Sequence, residues 1–354
     1  HFLEHKVFED EKKDYFDEFT KLSASVNAFT NFNITAYYFS CSENFYKCLD
    51  LLFEMVFTPY FTDDNIQKEK GIIEQEISMY DDDPSWRVYF NMLTGLYEKS
   101  PVKYEVAGTA ASIKEIDKAM LYKCYDTFYT PGNMALICAG DFSPKEIMDY
   151  AKGITFKSKS PIIEKIYEEE VFNPVKKSVE SEMSVSKPLF CLGFKDNDYA
   201  DKAKSLACSK ILLDILLGKS SDLYNKLYIQ GILDNGFYMD YSNGSCFSNT
   251  VFSGAANDID AAVSNILNGI KELKTKGIDD NVFERIKNKH IGRYIRSFNT
   301  VSSLVDMQAE FYSKGFTVFG LMDIFTNMDK KSLLERLDLF SLDSYCLSVV
   351  KGKA

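Results

Sequence analysis

The tripeptide Asp-Asp-Asn opens a long helical run twice along the chain, at Asp63 and at Asp279, an offset of 279 − 63 = 216 residues. Three residues match by chance, but the elements around them recur in the same order. In the first half, "YFDEFTKLSASV" carries apolar residues at helical spacing. It leads into "NAFTNFNITAYYFSCS", rich in β-branched and aromatic residues with Asn-containing breaks, the mark of strands. Next come the helix "SENFYKCLDLLFEMVF", which Ser42 can cap and Pro59 closes, a helix from Asp63 that ends at Pro84, and a third through "SWRVYFNMLTGLYEK". After "SIKEIDKAMLYKCYDTFYT" follow an apolar strand, "NMALICAG", and the helix "SPKEIMDYAKGI".

The stretch from Lys157 to Lys187 is charged, holds two prolines and sustains no helical period, as a linker leading into an edge hairpin would. Beyond it the order repeats: strand "LFCLGF", helix "KAKSLACSKILLDILLG", strands through "FYMDYSNGSCFSNTVFSGA", two long helices and a closing strand "SYCLSVV". At 354 residues the chain exceeds what one core usually supports. The expected class is therefore α+β, with two related domains, each a mostly antiparallel β-sheet packed against helices. The first spans 1–160, a linker and the start of the edge hairpin 161–187, and the second 188–354.

Composition narrows the partners. Lys plus Arg at 41 against Asp plus Glu at 52 leaves a net charge of −11, which repels phosphate backbones, so no nucleic-acid partner is expected. The eight cysteines are scattered singly, mostly in apolar runs, with no C-x-x-C spacing, and read as reduced core thiols in a cytoplasmic compartment. No stretch reaches the roughly 18 apolar residues of a membrane span.

The chemistry lies in "HFLEHKVFED", which holds two of the three histidines of the chain. Residues at i, i+3 and i+4 of a helix share one face, so His1, Glu4 and His5 converge. Two imidazoles suit a borderline-soft ion, and a catalytic zinc takes three protein ligands and leaves its fourth position to water. Helix "NIQKEKGIIEQEISMY" offers Glu69 and Glu76, seven apart on one face, either of which can turn toward the first helix while Glu74 turns away. His290, in "KNKHIGRYIRS", has no ligand set around it and reads as a surface histidine. Cys41 and Cys48 lack the nearby histidine that a thiol nucleophile needs.

Taken in order, "HFLEHKVFE", "SVNAFTNFNITAYYF", "QKEKGIIEQEISMYDDDP" and "FYTPGNMALICAGDF", together with "LLGKSSDLYNKLYIQGIL" in the second half, resemble the pitrilysin and insulinase type of zinc metallopeptidase, whose inverted H-x-x-E-H motif is a catalytic signature. The likeness is to a bacterial processing-peptidase-like subunit, one half of a clamshell. It implies one Zn²⁺ per chain held by His1, His5 and Glu76, with Glu4 as general base and Glu69 as a catalytic-site carboxylate behind the ligands. It also implies that Asn27, Ala28, Phe29 and Thr30 form an edge strand that binds the peptide substrate through main chain. Members of the family normally carry a strand pair before the H-x-x-E-H helix, and this sequence starts at the first ligand, so those strands are expected to be missing.

A second departure concerns the other half. Members that complete the site place an arginine and a tyrosine over the scissile carbonyl from a segment like "L-Y-x-x-L-R…G-L-x-Y". Here Tyr228 stands at the arginine position, and Leu233, Asp234 and Asn235 where the tyrosine should follow. The resemblance therefore implies a heterodimer whose partner supplies both residues, with a homodimer as the alternative. The competing reading is a non-catalytic structural or partner subunit of the same fold.

Overall fold

The computed structural model describes residues 1–154, 163–196 and 201–353. Its contacts divide the chain into two compact units. The first comprises His1–Ser78, Val106–Ile166 and Thr300–Glu310, and the second Met79–Glu105, Tyr167–Asn299 and Phe311–Ala354. A single cut near residue 160 does not describe this division, because residues 79–105 belong with the second unit. The expected linker falls partly outside the described residues, which omit 155–162.

In chain order the elements begin with helices α1 (Phe2–Val7) and α2 (Tyr15–Lys21), strands β1 (Ala24–Thr30) and β2 (Thr35–Cys41), and helices α3 (Phe45–Phe57), α4 (Asp63–Asp81) and α5 (Pro84–Leu96). Helices α6 (Ala110–Lys114), α7 (Lys118–Phe128) and α8 (Pro144–Gly153) follow, then strands β3 (Ser178–Met183) and β4 (Leu189–Lys195). Next come α9 (Lys202–Leu217), α10 (Asp222–Ile229), β5 (Tyr238–Asn243) and β6 (Ser248–Ala255). The chain closes with α11 (Ile259–Lys276), α12 (Asp280–Ser297), α13 (Val301–Ser313), α14 (Val318–Asn327), α15 (Lys330–Asp338) and β7 (Tyr345–Gly352). No helix among the described residues is long and apolar enough to cross a membrane.

Aspartates start many of these helices, because an Asp side chain can accept from the free N–H groups of the first turn. Asp14 accepts from Phe16 and Asp17 at the head of α2, and Asp83 from Ser85 and Trp86 at the head of α5, where Pro84 has no N–H to satisfy. The α3 cap differs from expectation: Asn44, in a left-handed conformation with φ 58°, precedes the helix in place of Ser42 and makes no side-chain capping bond.

In the first unit β1 and β2 pair antiparallel, from Ala24 opposite Cys41 to Thr30 opposite Thr35. The turn between them is closed by the Asn31 carboxamide, which accepts from the Asn33 and Ile34 amides. Helices α2 and α3 cover this ribbon with the buried Tyr15, Phe19, Cys48 and Leu49. The apolar run at 134–140, expected as a strand, is assigned to none. Its hydrophobic side chains are partly solvated, Met134 at 36% and Leu136 at 42% exposure, and no described strand lies alongside to complete a ladder.

The second unit carries a five-stranded sheet in the order β3-β7-β4-β6-β5. Only β3 and β7 run parallel, the other neighbours being antiparallel. The expected hairpin at the edge is thus replaced: β3 is the edge strand, but β7, from the far end of the chain, is inserted between it and β4. Helix α5 lies on β3, β4 and β7. It can approach because glycines meet at the contact: a Cβ on Gly193 of β4 would stand 2.1 Å from the Met92 sulfur, and one on Gly95 of α5 would stand 2.3 Å from Cys346 Sγ. Helix α9 is buried along most of its length among α10, α11, α12, α14 and α15, taking Ser205, Ser209 and Asp214 inside with its apolar residues.

Candidate metal centre

The six residues of α1 dip their apolar side into the first unit, burying Phe2 and Val7. The opposite turn presents His1, Glu4 and His5. Tyr37 of β2 ties the helix down, its hydroxyl standing 3.4 Å from the Leu3 carbonyl and 2.7 Å from the Tyr129 hydroxyl. Facing this turn, α4 projects Glu69 and Glu76 from one side, two turns apart. Glu74 points elsewhere and pairs with Lys114 at 3.4 Å.

Packing places the two glutamates differently against the imidazoles. Glu76 stands between the imidazoles, Oε1 at 3.5 Å from His1 Nε2 and Oε2 at 3.7 Å from His5 Nε2. One ligand atom from each of His1, His5 and Glu76 lies within 4.8 Å of the other two. Tetrahedral donors at zinc–ligand distances of about 2.0–2.1 Å sit roughly 3.4 Å apart, so the carboxylate–imidazole spacings fit a small ion with little adjustment. The chemistry also fits: two imidazoles and one carboxylate suit zinc and leave a fourth position open.

Glu69 stands behind His5. Its Oε1 accepts from His5 Nδ1 at 2.9 Å, which fixes the tautomer and leaves Nε2, with its lone pair, facing Glu76. The hydrogen bond to Glu69 raises the His5 imidazole above its ordinary value, against the opposing pull of burial. Burial pushes the Glu69 carboxyl up, but the hydrogen bond from His5 and the charges of His5 and Lys6 outweigh it, and the group lies below the ordinary range. His1 has no counterpart to this support among the described residues. Its Nδ1 is buried without a hydrogen-bond partner among them, and the ring rests edge-on against His5 with centroids 4.7 Å apart.

Glu4 stands outside the ligand set. Its Oε2 accepts from the Thr30 hydroxyl at 2.6 Å, and Thr30 in turn meets the Thr35 hydroxyl across the β-ribbon at 3.0 Å. Thr30, expected as a substrate residue, is therefore engaged by Glu4. The other expected strand residues, Asn27, Ala28 and Phe29, contact each other and β2: the Asn27 carboxamide accepts from the Ala28 amide at 2.8 Å, and the Phe29 ring lies 6.2 Å from Tyr38.

Lys6 was not anticipated. It is fully buried, and its ammonium donates to the Asn65 carbonyl at 3.1 Å, with Glu9 at 2.7 Å and Glu69 at 3.8 Å. Its charge adds to the larger effects of the His5 hydrogen bond and the His5 charge in holding the Glu69 carboxyl below its ordinary range. The signal available was a lysine one residue past the motif on a helix whose far face must be apolar.

In the second unit, His290 is not the surface residue expected from sequence. Its ring stacks on Phe325 at 5.7 Å, and its Nε2 lies 2.9 Å from Asp214 Oδ2, with Lys289 also 2.8 Å from that carboxylate. The Tyr228 position, where the family pattern has arginine, is half exposed and stacks on Tyr224 at 6.0 Å.

Comparison with known proteins matches residues 1–110 to the family described as Insulinase (Peptidase family M16), and residues 115–289 to Peptidase M16 inactive domain. A Bacillus subtilis protein called "Uncharacterized zinc protease YmfH" is 35% identical over 349 residues, covering 96% of this chain and 78% of its own. A solved M16-like peptidase from Alicyclobacillus acidocaldarius superposes with a TM-score of 0.95 at 34% identity, over 100% of this chain and 86% of that one. A Helicobacter pylori protease shares the fold alone, with a TM-score of 0.86 at 19% identity over 99% of this chain and 88% of its own. By motif order, fold and these matches, the chain belongs to the insulinase-type M16 peptidase family.

Proposed function

We propose that this chain is a zinc-dependent peptidase that hydrolyses peptide bonds in small or unfolded peptides, with one zinc held by His1, His5 and Glu76. The observation that carries the reading is the convergence of three ligand atoms within 4.8 Å, one imidazole already oriented by Glu69. Zinc bound there would supply Lewis-acid activation of water and of the scissile carbonyl.

The remaining roles fall to the chain's own residues. Glu4 lies one residue before His5 and outside the ligand set, where a carboxylate can take the proton of the attacking water and return it to the leaving amine. Thr30 holds one Glu4 oxygen at 2.6 Å and so aims the other. Strand β1 pairs only with β2 among the described residues, which leaves its outer edge to hydrogen-bond an extended peptide at Asn27–Thr30. That mode of binding grips main chain and reads little sequence. The eight cysteines, all free, support a reducing, cytoplasmic setting.

The second half supports a division of labour. Its match is to a domain described as inactive, and where the family pattern places arginine and tyrosine it offers Tyr228, Asp234 and Asn235. We read the chain as the metal-bearing subunit of a dimer whose partner supplies those donors, each of which typically contributes about 10²-fold or more in rate. The intact His1, Glu4, His5 and Glu76 set argues against a purely structural subunit. Glu4→Gln tests the reading: it should retain zinc and lose roughly 10²-fold or more in turnover of a mixed peptide library. Undiminished cleavage by that variant would reduce Glu4 to a helix-surface residue.

A further inference from the structure

The second unit holds a cleft of about 330 Å³ that the peptidase reading leaves unused. Strand alternation explains its floor. In the β5–β6 register Ser242 faces Asn249, Asp240 faces Val251 and Tyr238 faces Ser253, so one face of the sheet presents this row together. Trp86 and Tyr89 of α5 form the facing wall. Trp86 is itself held in place, stacked on Tyr80 at 4.5 Å with its Nε1 donating to Glu105 at 2.8 Å.

The electrostatics of the cleft are one-sided. The carboxylates of Asp83 and Asp240 line it, and no lysine, arginine or histidine among the described residues does. Lys210 comes only to 3.9 Å from Asp240, and both side chains are largely solvated, so that pairing is weak.

An independent feature points to a ligand. Asn249 is fully buried, and its Nδ2 donates to the Tyr97 hydroxyl at 3.2 Å. That hydroxyl donates to the Ser248 carbonyl at 2.8 Å, so from the carboxamide it can only accept, which fixes the amide's orientation. The Asn249 Oδ1 is buried and has no partner among the described residues, on a residue that lines the cleft. Native structures rarely leave such an acceptor unsatisfied, and a donor arriving in the cleft would satisfy it.

Three requirements thus coincide: an N–H donor for Asn249, a positive charge for Asp83 and Asp240, and a flat surface for the rings of Trp86, Tyr89 and Tyr238. A guanidinium meets all three, being planar, weakly hydrated, rich in N–H donors and prone to stack on aromatic faces. An ammonium meets only the first two. We propose that this cleft binds a guanidinium group, carried by free arginine or by an arginine side chain of a peptide. The site is built entirely from the second unit and does not depend on the metal reading.

Trp86 is the only tryptophan in the chain, so its fluorescence reports the cleft directly. The full chain is titrated with N-acetylargininamide, free L-arginine, N-acetyllysinamide and N-acetylcitrullinamide, the last matching arginine in shape without its charge. A saturable change with an arginine compound is expected at millimolar concentration or below, with citrulline and lysine compounds about tenfold weaker or worse. Tighter binding of the blocked amide assigns the peptide source, and tighter binding of free arginine the amino acid. Asp240→Asn, at an exposed position, should weaken arginine binding about fivefold and leave the melting temperature unchanged. The proposal is overturned if arginine produces no saturable change, if citrulline or lysine binds as tightly, or if folded Asp240→Asn binds like the wild type.

Discussion

Glu69 joins α4 to α1 through its hydrogen bond with His5, beside the contacts Glu76 makes to both imidazoles, and its replacement separates the proposed ligand-orienting role from a merely structural one. In Glu69→Gln the amide oxygen can still accept from His5 Nδ1 at the 2.9 Å now occupied by carboxylate, but the charge is gone and the amide nitrogen turns toward the Lys6 ammonium, 3.8 Å from the second oxygen. In Glu69→Ala the acceptor is lost as well. Removing the partner of a ligating histidine typically lowers metal affinity about 10- to 100-fold. The glutamine variant keeps half of the interaction and is expected near tenfold, the alanine variant near 100-fold, or ~1.4 and ~2.8 kcal/mol. Both also leave the buried Lys6 with Glu9 as its remaining carboxylate, so the metal-free chain should lose about 1–3 kcal/mol in stability. Zinc competition against a chromophoric chelator gives the affinities, and thermal unfolding of the metal-free chain gives the stabilities. If Glu69→Ala unfolds earlier yet holds zinc as tightly as the wild type, Glu69 supports the fold only, and the account of how His5 is oriented is wrong.

Two further perturbations test the packing. Gly193→Ala forces a methyl to 2.1 Å from the sulfur of the fully buried Met92, and should destabilise the chain by about 1–3 kcal/mol in denaturant titration. Gly71→Ala, on an exposed turn of α4 with nothing within 4 Å, should instead stabilise it by roughly 0.5–1 kcal/mol, and a loss there would contradict the description of that helix surface. A third concerns acid. Burial pushes the Asp214 carboxyl up, but contacts from His290 and Lys289 overcome this and bring it from 3.8 down to about 2. A depressed carboxylate stabilises above its unfolded value and loses that contribution as pH falls through its folded one. About 2 kcal/mol should therefore disappear between pH ~4 and ~2, and Asp214→Asn should flatten the stability profile across that window.

What sequence could convey about the site was what helical periodicity conveys. The i, i+4 spacing of His1 and His5 and the seven-residue spacing of Glu69 and Glu76 are local geometry. Which glutamate lies between the imidazoles depends on how α1 packs across α4, more than sixty residues away, and no local pattern encodes that. Lys6 illustrates the same limit: a lysine on a short helix reads as solvated until Asn65, Glu9 and Glu69 are seen around it. His290 looked like a surface residue for want of a visible ligand set, whereas it is wedged between Phe325 and Asp214. Strands β4 to β7 and helices α9, α11 and α12 of the second half are legible in its sequence, but α10 and α13 to α15 are not, nor is the insertion of β7 between β3 and β4, because strand order is set by pairing over some 170 residues of chain. The run at 134–140 shows the converse: β propensity without a neighbouring strand does not make a ladder. The cleft over β5 and β6 was invisible for both reasons, since it needs the register of two strands and a tyrosine 152 residues from Asn249.

If His1, His5 and Glu76 together hold zinc, the metal content per chain after mild chelation depends on each of them. Elemental analysis should find one zinc in the wild type, one in Glu4→Gln, whose altered side chain is not a ligand, and near none in Glu76→Gln, because two remaining imidazoles do not hold the ion against the chelator. A wild-type chain that holds no zinc, or a Glu76→Gln chain that keeps a full equivalent, would contradict that ligand set.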